Sequence, residues 1–107
     1  MSGATGKPVM DVEELRSQII ARMGQIIDPE TGVDIVRMRL IEDLKVREDG
    51  FVSYKFRPSS PLCPLAVPLA VQIKRAVAEV EGVTGQEVAV VGYVGADDLN
   101  QLLREQV

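Results

Sequence analysis

Cys63 carries the most reactive side chain of this sequence and is its only cysteine. It lies in residues 57–64 (RPSSPLCP), and four of the six prolines fall between Pro58 and Pro68. These prolines fix the backbone around the thiol, and we expect them to leave it accessible. An apolar helical pattern follows directly, and a helix N-terminus favours a thiolate. Cys63 is therefore either a reactive thiol or a small side chain packed in the core.

The number of ligand-forming side chains limits what Cys63 can bind. A structural zinc site needs about four ligands, typically Cys or His, and iron–sulfur clusters are held by about four thiolates. The chain has one cysteine and no histidine, so no stable cofactor is predicted and a Cys–His catalytic pair is excluded. A metal or cluster on Cys63 would be transient and shared with a partner or with the second subunit of a homodimer. This ligand count favours a protein that transfers a cluster over one that stores it.

Three oxygen-bearing side chains are further candidates for a site. Asp28 and Glu30 flank Pro29 at the predicted end of a helix, where they would present two carboxylates. The same Asp-Pro pair commonly starts a turn, and a purely structural role is therefore the other interpretation. Ser60 can cap a turn, or it can donate a hydrogen bond to a sulfur or a bound anion.

Composition and charge restrict the compartment and the partners. The net charge is −4, without a run of Lys or Arg, which opposes nucleic-acid binding. A lone cysteine predicts a cytoplasmic protein, and no apolar stretch reaches the roughly 20 residues of a membrane span. The N-terminus also lacks a signal-peptide core. We expect a disordered tail over residues 1–10 and one domain over residues 11–107, with neither nucleic acid nor membrane as a partner.

Hydrophobic periodicity predicts three helices and three strands. Helical spacing covers residues 12–27, capped by Asp11 and ended by Pro29. Alternation from Met38 predicts a strand with an irregularity near Glu42, and Asp-Gly at 49–50 predicts a hairpin to a second strand. A helix begins within residues 65–67 and runs to 80, a strand covers 86–93, and a last helix covers 96–105. The result is an α+β fold with two layers, in which helices pack on one face of a small mixed or antiparallel sheet of about three strands.

Two motifs in this order resemble a known family. The first is Asp-Pro-Glu at 28–30, followed by Gly32, Val33, Ile35 and Val36; the second is Ser-Pro-x-Cys-Pro at 60–64, after a hairpin and before a helix. Over roughly residues 12–92 the chain resembles the SufT/PaaD type of iron–sulfur cluster assembly domain. It departs from the family at Ser60, where threonine is usual, and it has no cysteine after Cys63.

The resemblance implies a function and a site. It implies an accessory, non-enzymatic factor in iron–sulfur cluster assembly, transfer or targeting, whose partners are the assembly machinery or apo client proteins. By position, Cys63 would be the cluster or metal ligand, with Asp28, Glu30 and Ser60 as its neighbours in the cofactor-binding site. The alternative is a protein-interaction module in which Cys63 is structural and the working surface is the sheet or residues 96–107.

Overall fold

The computed structural model describes residues 11–105, which form three helices and a three-stranded sheet. Along the chain these elements are α1 (Val12–Met23), β1 (Ile41–Val46), β2 (Phe51–Phe56), α2 (Ala66–Ala78), β3 (Gly85–Val90) and α3 (Ala96–Glu105). The predicted tail, residues 1–10, lies outside the described residues. None of the helices within residues 11–105 is long and apolar enough to cross a membrane.

The sheet is mixed, with β2 in its centre. β1 and β2 form the predicted antiparallel hairpin, and β2 runs parallel to β3, with α2 as the connection. Gly50 closes the hairpin at φ 91°, and a Cβ there would collide with the carbonyl oxygen of Gly82. The predicted irregularity is confirmed, because the register shifts between Glu42 and Lys45, where Asp43 has φ 53°.

The core lies between one face of the sheet and the helices. Along β2, Val52, Tyr54 and Phe56 are buried while Lys55 is exposed, so only one face is covered. The helices bury mainly aliphatic side chains against this face: Leu15, Ile19 and Met23 from α1, Leu69, Ile73 and Val77 from α2, Leu99 and Leu103 from α3. Each fully buried leucine or isoleucine contributes about 1.5–3 kcal/mol. The predicted α+β fold with helices on one face is confirmed.

The leucines of α3 pack inside the chain itself. Leu99 and Leu103 are 2% and 1% exposed. The predicted bounds of this helix are confirmed. The alternative in which residues 96–107 form the working surface is therefore not supported for these two side chains.

Other boundaries differ from the prediction. α1 ends at Met23, four residues early, because Gly24 follows and the chain turns there. β1 begins at Ile41 instead of Met38, since the preceding residues form turns and Arg39 adopts φ 60°. β3 ends at Val90, three residues early. Within α2, Pro68 is the third residue, a first-turn position at which proline is tolerated.

Candidate functional site

Cys63 is buried at the junction between the proline-rich loop and α2. Its side chain is 3% exposed and packs in the hydrophobic core. The Cys63 N–H donates to the Ser60 carbonyl oxygen (3.1 Å), and the Ala66 N–H donates to the Cys63 carbonyl oxygen (3.3 Å). These two successive turns direct the side chain inward. The expectation that the flanking prolines leave the thiol accessible is therefore wrong for this conformation.

The loop that carries Cys63 is fixed at several points. The Leu62 N–H donates to Ser60 Oγ (3.2 Å), so this hydroxyl stabilises a turn. The Val94 N–H, in the β3–α3 connection, donates to the Pro61 carbonyl oxygen (3.0 Å). Leu62 and Val94 are each 73% exposed. The buried thiol thus lies under a loop whose outer surface is apolar and which one backbone hydrogen bond joins to the β3–α3 connection.

Asp28 is buried in a turn of its own, five residues after the last residue of α1. Its backbone N–H donates to the Val33 carbonyl oxygen (2.9 Å), and its carbonyl oxygen accepts from the Gly32 N–H (2.8 Å). A short antiparallel bridge between Ile27 and Asp34 closes the same segment. The prediction that Asp28 terminates α1 is therefore wrong, because the helix has already ended at Met23.

The Asp28 carboxyl group is only half satisfied. Oδ1 accepts a hydrogen bond from the Glu30 N–H (2.8 Å), as Asp residues in turns commonly do. Asp28 is only 1% exposed, and its Oδ2 is buried without a hydrogen-bond partner among the described residues. An unsatisfied buried polar group costs about 1–3 kcal/mol. Such a group in a folded protein calls for an explanation, and a ligand is one.

The predicted site residues form two local groups. Ser60 and Cys63 share one turn, and Asp28 shares another with Glu30, whose side chain is exposed. Within residues 11–105, no three Cys, Asp or Glu side chains are grouped so that they could hold a metal ion. A metal or cluster on Cys63 would therefore need ligands from outside this part of the chain. The binding roles of these four residues stay predictions.

A polar network that the sequence did not predict links the sheet to α2 and α3. Tyr54 Oη donates to Gln86 Oε1 (2.8 Å), and Gln86 Nε2 donates to the Lys74 carbonyl oxygen (2.7 Å). Lys74 Nζ in turn donates to the Leu103 carbonyl oxygen. Burial raises the pKa of Tyr54 and lowers the pKa of Lys74. The available signal was Tyr54 on the apolar face of β2, because a buried tyrosine hydroxyl usually finds a partner.

Comparison with known proteins agrees with this small α+β domain. Residues 16–90 match the family described as iron–sulfur cluster assembly protein. The chain belongs to that family, as its two motifs predicted.

Relatives and a solved structure cover most of the chain. An uncharacterised protein of Methanocaldococcus jannaschii is 36% identical over 91 residues, 85% of this chain and 96% of that protein. The Fe-S protein maturation auxiliary factor YitW of Bacillus subtilis is 37% identical over 79 residues, 74% of this chain and 78% of that protein. The crystal structure of a domain of unknown function from Bacillus anthracis superposes with a TM-score of 0.67 at 31% identity, covering 74% of this chain and 76% of that one.

Proposed function

We propose that this protein is an accessory factor in iron–sulfur cluster assembly, transfer or targeting to client proteins, with Cys63 as its reactive group. The observation that carries the proposal is the position of Cys63, the chain's only thiol, in a fixed loop directly before α2. Membership in the family and the name of the Bacillus subtilis relative, a maturation auxiliary factor, support it.

The cluster would be cargo that passes through the protein. One thiolate supplies about a quarter of the ligands that a cluster needs. The remainder would come from a donor, an apo client or a second copy of this chain. In this proposal the protein contributes binding and positioning, and its role is that of a non-enzymatic factor. We expect it in the cytoplasm.

Access to the thiol requires the loop to move. Cys63 is 3% exposed, so a cluster or partner thiol reaches it only after the loop opens. The Val94 to Pro61 hydrogen bond is the contact between the loop and the β3–α3 connection that must break or stretch. Leu62 and Val94 are exposed on either side of this hydrogen bond, and their side chains offer an apolar surface to which a partner can bind. Partner docking would thereby expose the thiol only where transfer occurs.

The half-satisfied carboxyl group of Asp28 supports a second contact with the cargo or its partner. Oδ2 lacks a hydrogen-bond partner among the described residues and is free to accept one. Glu30, in the same turn, is exposed and carries a second carboxylate. Ser60 completes the proposed group with a hydroxyl that now accepts from Leu62. Asp28, Glu30 and Ser60 would assist binding at Cys63 instead of forming a closed site.

The test is maturation of an apo [4Fe–4S] client with iron and sulfide under anaerobic conditions, with and without this protein. Cys63→Ser and Cys63→Ala both remove the thiol, and Ala keeps the buried position apolar. We expect either variant to lower the accelerated client activation at least tenfold. Circular dichroism and thermal unfolding identify any variant that fails to fold. If a folded variant matures the client as fast as the native protein, Cys63 is not the reactive group.

Burial of Cys63 favours one other function. A free cysteine packs well as a small hydrophobic side chain, and Cys63 lies in the core cluster. In this alternative the protein is a non-catalytic interaction module and Cys63 is structural. The two functions differ in whether the thiol becomes accessible without global unfolding of the protein.

A further inference from the structure

The outer edge of β3 has backbone groups directed away from the sheet. β3 is the last strand and pairs only with β2. The Val91 N–H donates toward β2 (3.0 Å), whereas the Val90 N–H points the other way and donates to Asn100 Oδ1 (2.7 Å). Because N–H and C=O groups alternate between the two edges of a strand, Gln86 and Val88 share the outward direction of Val90.

Asn100 of α3 covers only one end of this edge. Asn100 Oδ1 accepts from the Val90 N–H (2.7 Å), and Asn100 Nδ2 donates to the Val90 carbonyl oxygen (3.4 Å). The side-chain amide thus occupies the hydrogen-bonding groups that the backbone of a neighbouring strand would pair with. No hydrogen bond within residues 11–105 outside the sheet reaches the backbone groups of Gln86 or Val88. The opposite edge differs, because β1 is bulged and Arg16 donates to one of its carbonyl oxygens (2.5 Å). β3 is therefore the edge that can accept a further strand.

Two adjoining clefts lie along this part of β3. The larger has a volume of about 470 Å³, and Phe51, Ala78 and Val83 give it an apolar wall. The smaller, of about 270 Å³, is lined by Val88 and by residues of α3. Gln86 lines both clefts, so they form one surface, here named the β3 groove.

The β3 groove carries a positive charge on a protein whose net charge is −4. Lys74 and Arg104 line both clefts, and Glu87 is the only carboxylate among the described residues that line them. Arg104 makes no ion pair with any residue of the described range. Partial burial lowers the pKa of Lys74. A carboxylate entering the groove would meet the Arg104 guanidinium, whereas Lys74 Nζ already donates to the Leu103 carbonyl oxygen.

We propose that the β3 groove binds an extended acidic segment of a partner protein as a fourth strand. The backbone of the segment would pair with Gln86 and Val88, an aliphatic side chain would contact the apolar wall, and an acidic side chain would meet Arg104. A second copy of this chain fits less well, because pairing two β3 edges brings the cations of both copies together. The proposal goes beyond the proposed cluster function and does not depend on Cys63.

The test selects binders from a library of random dodecapeptides displayed on phage, with the full chain as the target. We expect enrichment of segments that alternate aliphatic and acidic residues. Binding of a synthesised winner should shift the backbone amide signals of Gln86 and Val88 in NMR spectra. Arg104→Glu should weaken this binding at least tenfold. The matched control is Arg75→Glu, the same charge reversal at an exposed residue of α2 that does not line the groove, and it should change binding less than twofold.

A second variant tests the backbone pairing itself. Val88→Pro removes an outward N–H that takes no part in pairing with β2, a position at which an edge strand tolerates proline. We expect a folded Val88→Pro variant to lose binding, and Cys63→Ser to retain it. No enrichment of peptides, equal binding by Arg104→Glu, or amide shifts confined to the Leu62 and Val94 surface would each overturn the proposal. Self-association of the chain that persists in Arg104→Glu would also contradict it, by showing that a second copy occupies the edge.

Discussion

At the scale of single residues, the two predicted groups differ in what holds them in place. Cys63 is an apolar contact as much as a thiol, and its burial needs no further explanation. Asp28 is different, because burial of an unpartnered carboxyl oxygen lowers stability. Oδ1 stabilises the turn, but Oδ2 costs stability without a structural reason, and such a group is a candidate for function. Asp28 therefore carries more information about the site than the sequence alone indicated.

Substitution of Asp28 should separate stability from function. Asp28→Asn keeps an oxygen acceptor for the Glu30 N–H, whereas Asp28→Ala loses that bond. We expect Asp28→Asn to be at least as stable as the native protein and Asp28→Ala to be about 1 kcal/mol less stable than Asp28→Asn. Both should slow client maturation, and denaturant unfolding provides the free energies. If Asp28→Asn loses stability like Asp28→Ala and matures clients normally, Asp28 is only a turn residue.

At the scale of elements, local signals predicted the hairpin, α2 and α3 correctly. Asp-Gly at 49–50, proline in the first turn of α2 and the leucine spacing of α3 act within a few residues, so the sequence shows them directly. The predicted end of α1 and the predicted start of β1 were wrong for the opposite reason, whereas the turn that begins at Asp28 was predicted correctly. Ile26 and Ile27 continue a helical spacing, but the bridge between Ile27 and Asp34 and the packing of Ile35 form a turn instead. Such choices depend on tertiary contacts that periodicity does not contain.

The same limit explains what was missed about the site. The motifs identified Cys63 and Asp28 as candidates, because they depend on residue type and order. The burial of both residues follows from how the proline loop and the Asp28 turn pack on the core, which involves distant parts of the chain. The β3 groove was also missed, since its cations come from two different helices, Lys74 on α2 and Arg104 on α3.

The polar network between β2 and α2 should be measurable through Tyr54. Tyr54→Phe removes the hydroxyl that donates to Gln86 Oε1, and we expect a loss of about 0.5–1.5 kcal/mol in the free energy of unfolding at pH 7. Tyr93→Phe is the matched control, because the Tyr93 hydroxyl makes no hydrogen bond with the described residues. It should change stability by less than about 0.5 kcal/mol. Equal effects of the two substitutions would show that the network contributes nothing.

The network also predicts how stability depends on pH. Burial raises the pKa of Tyr54 above its unfolded value of about 10. Above that pH the unfolded chain loses the proton first, so the contribution of Tyr54 to stability is constant below pH 10 and falls as the pH rises beyond it. The lowered pKa of Lys74 acts in the opposite direction, but native protein and Tyr54→Phe share it. We expect the free energy of unfolding of the native protein to fall more steeply above pH 10 than that of Tyr54→Phe. Parallel plots of this free energy against pH would contradict a raised pKa for Tyr54.

At the scale of the whole molecule, the central question is how a buried thiol is reached. Global unfolding exposes Cys63 but destroys the protein that would present it. Local opening of the proline loop would expose it at lower free energy, because the sheet and the helices stay folded. The hydrogen bond from Val94 to Pro61 is a contact that such opening breaks. The proposed function requires the local route, and the structural alternative requires only the global one.

Thiol labelling under native conditions distinguishes the two routes. For local opening, the labelling rate of Cys63 should be nearly constant at low urea and exceed the rate set by global unfolding. Val94→Pro removes the donor to Pro61, and we expect it to increase labelling severalfold, about in line with the loss of one hydrogen bond. Val94→Ala is the control, because it removes the exposed side chain but keeps the N–H donor, and it should label at the native rate. The structural alternative predicts labelling that follows global unfolding at all urea concentrations. It also predicts equal labelling of Val94→Pro and Val94→Ala after correction for their stabilities. These two results together would show that Cys63 is only a core residue.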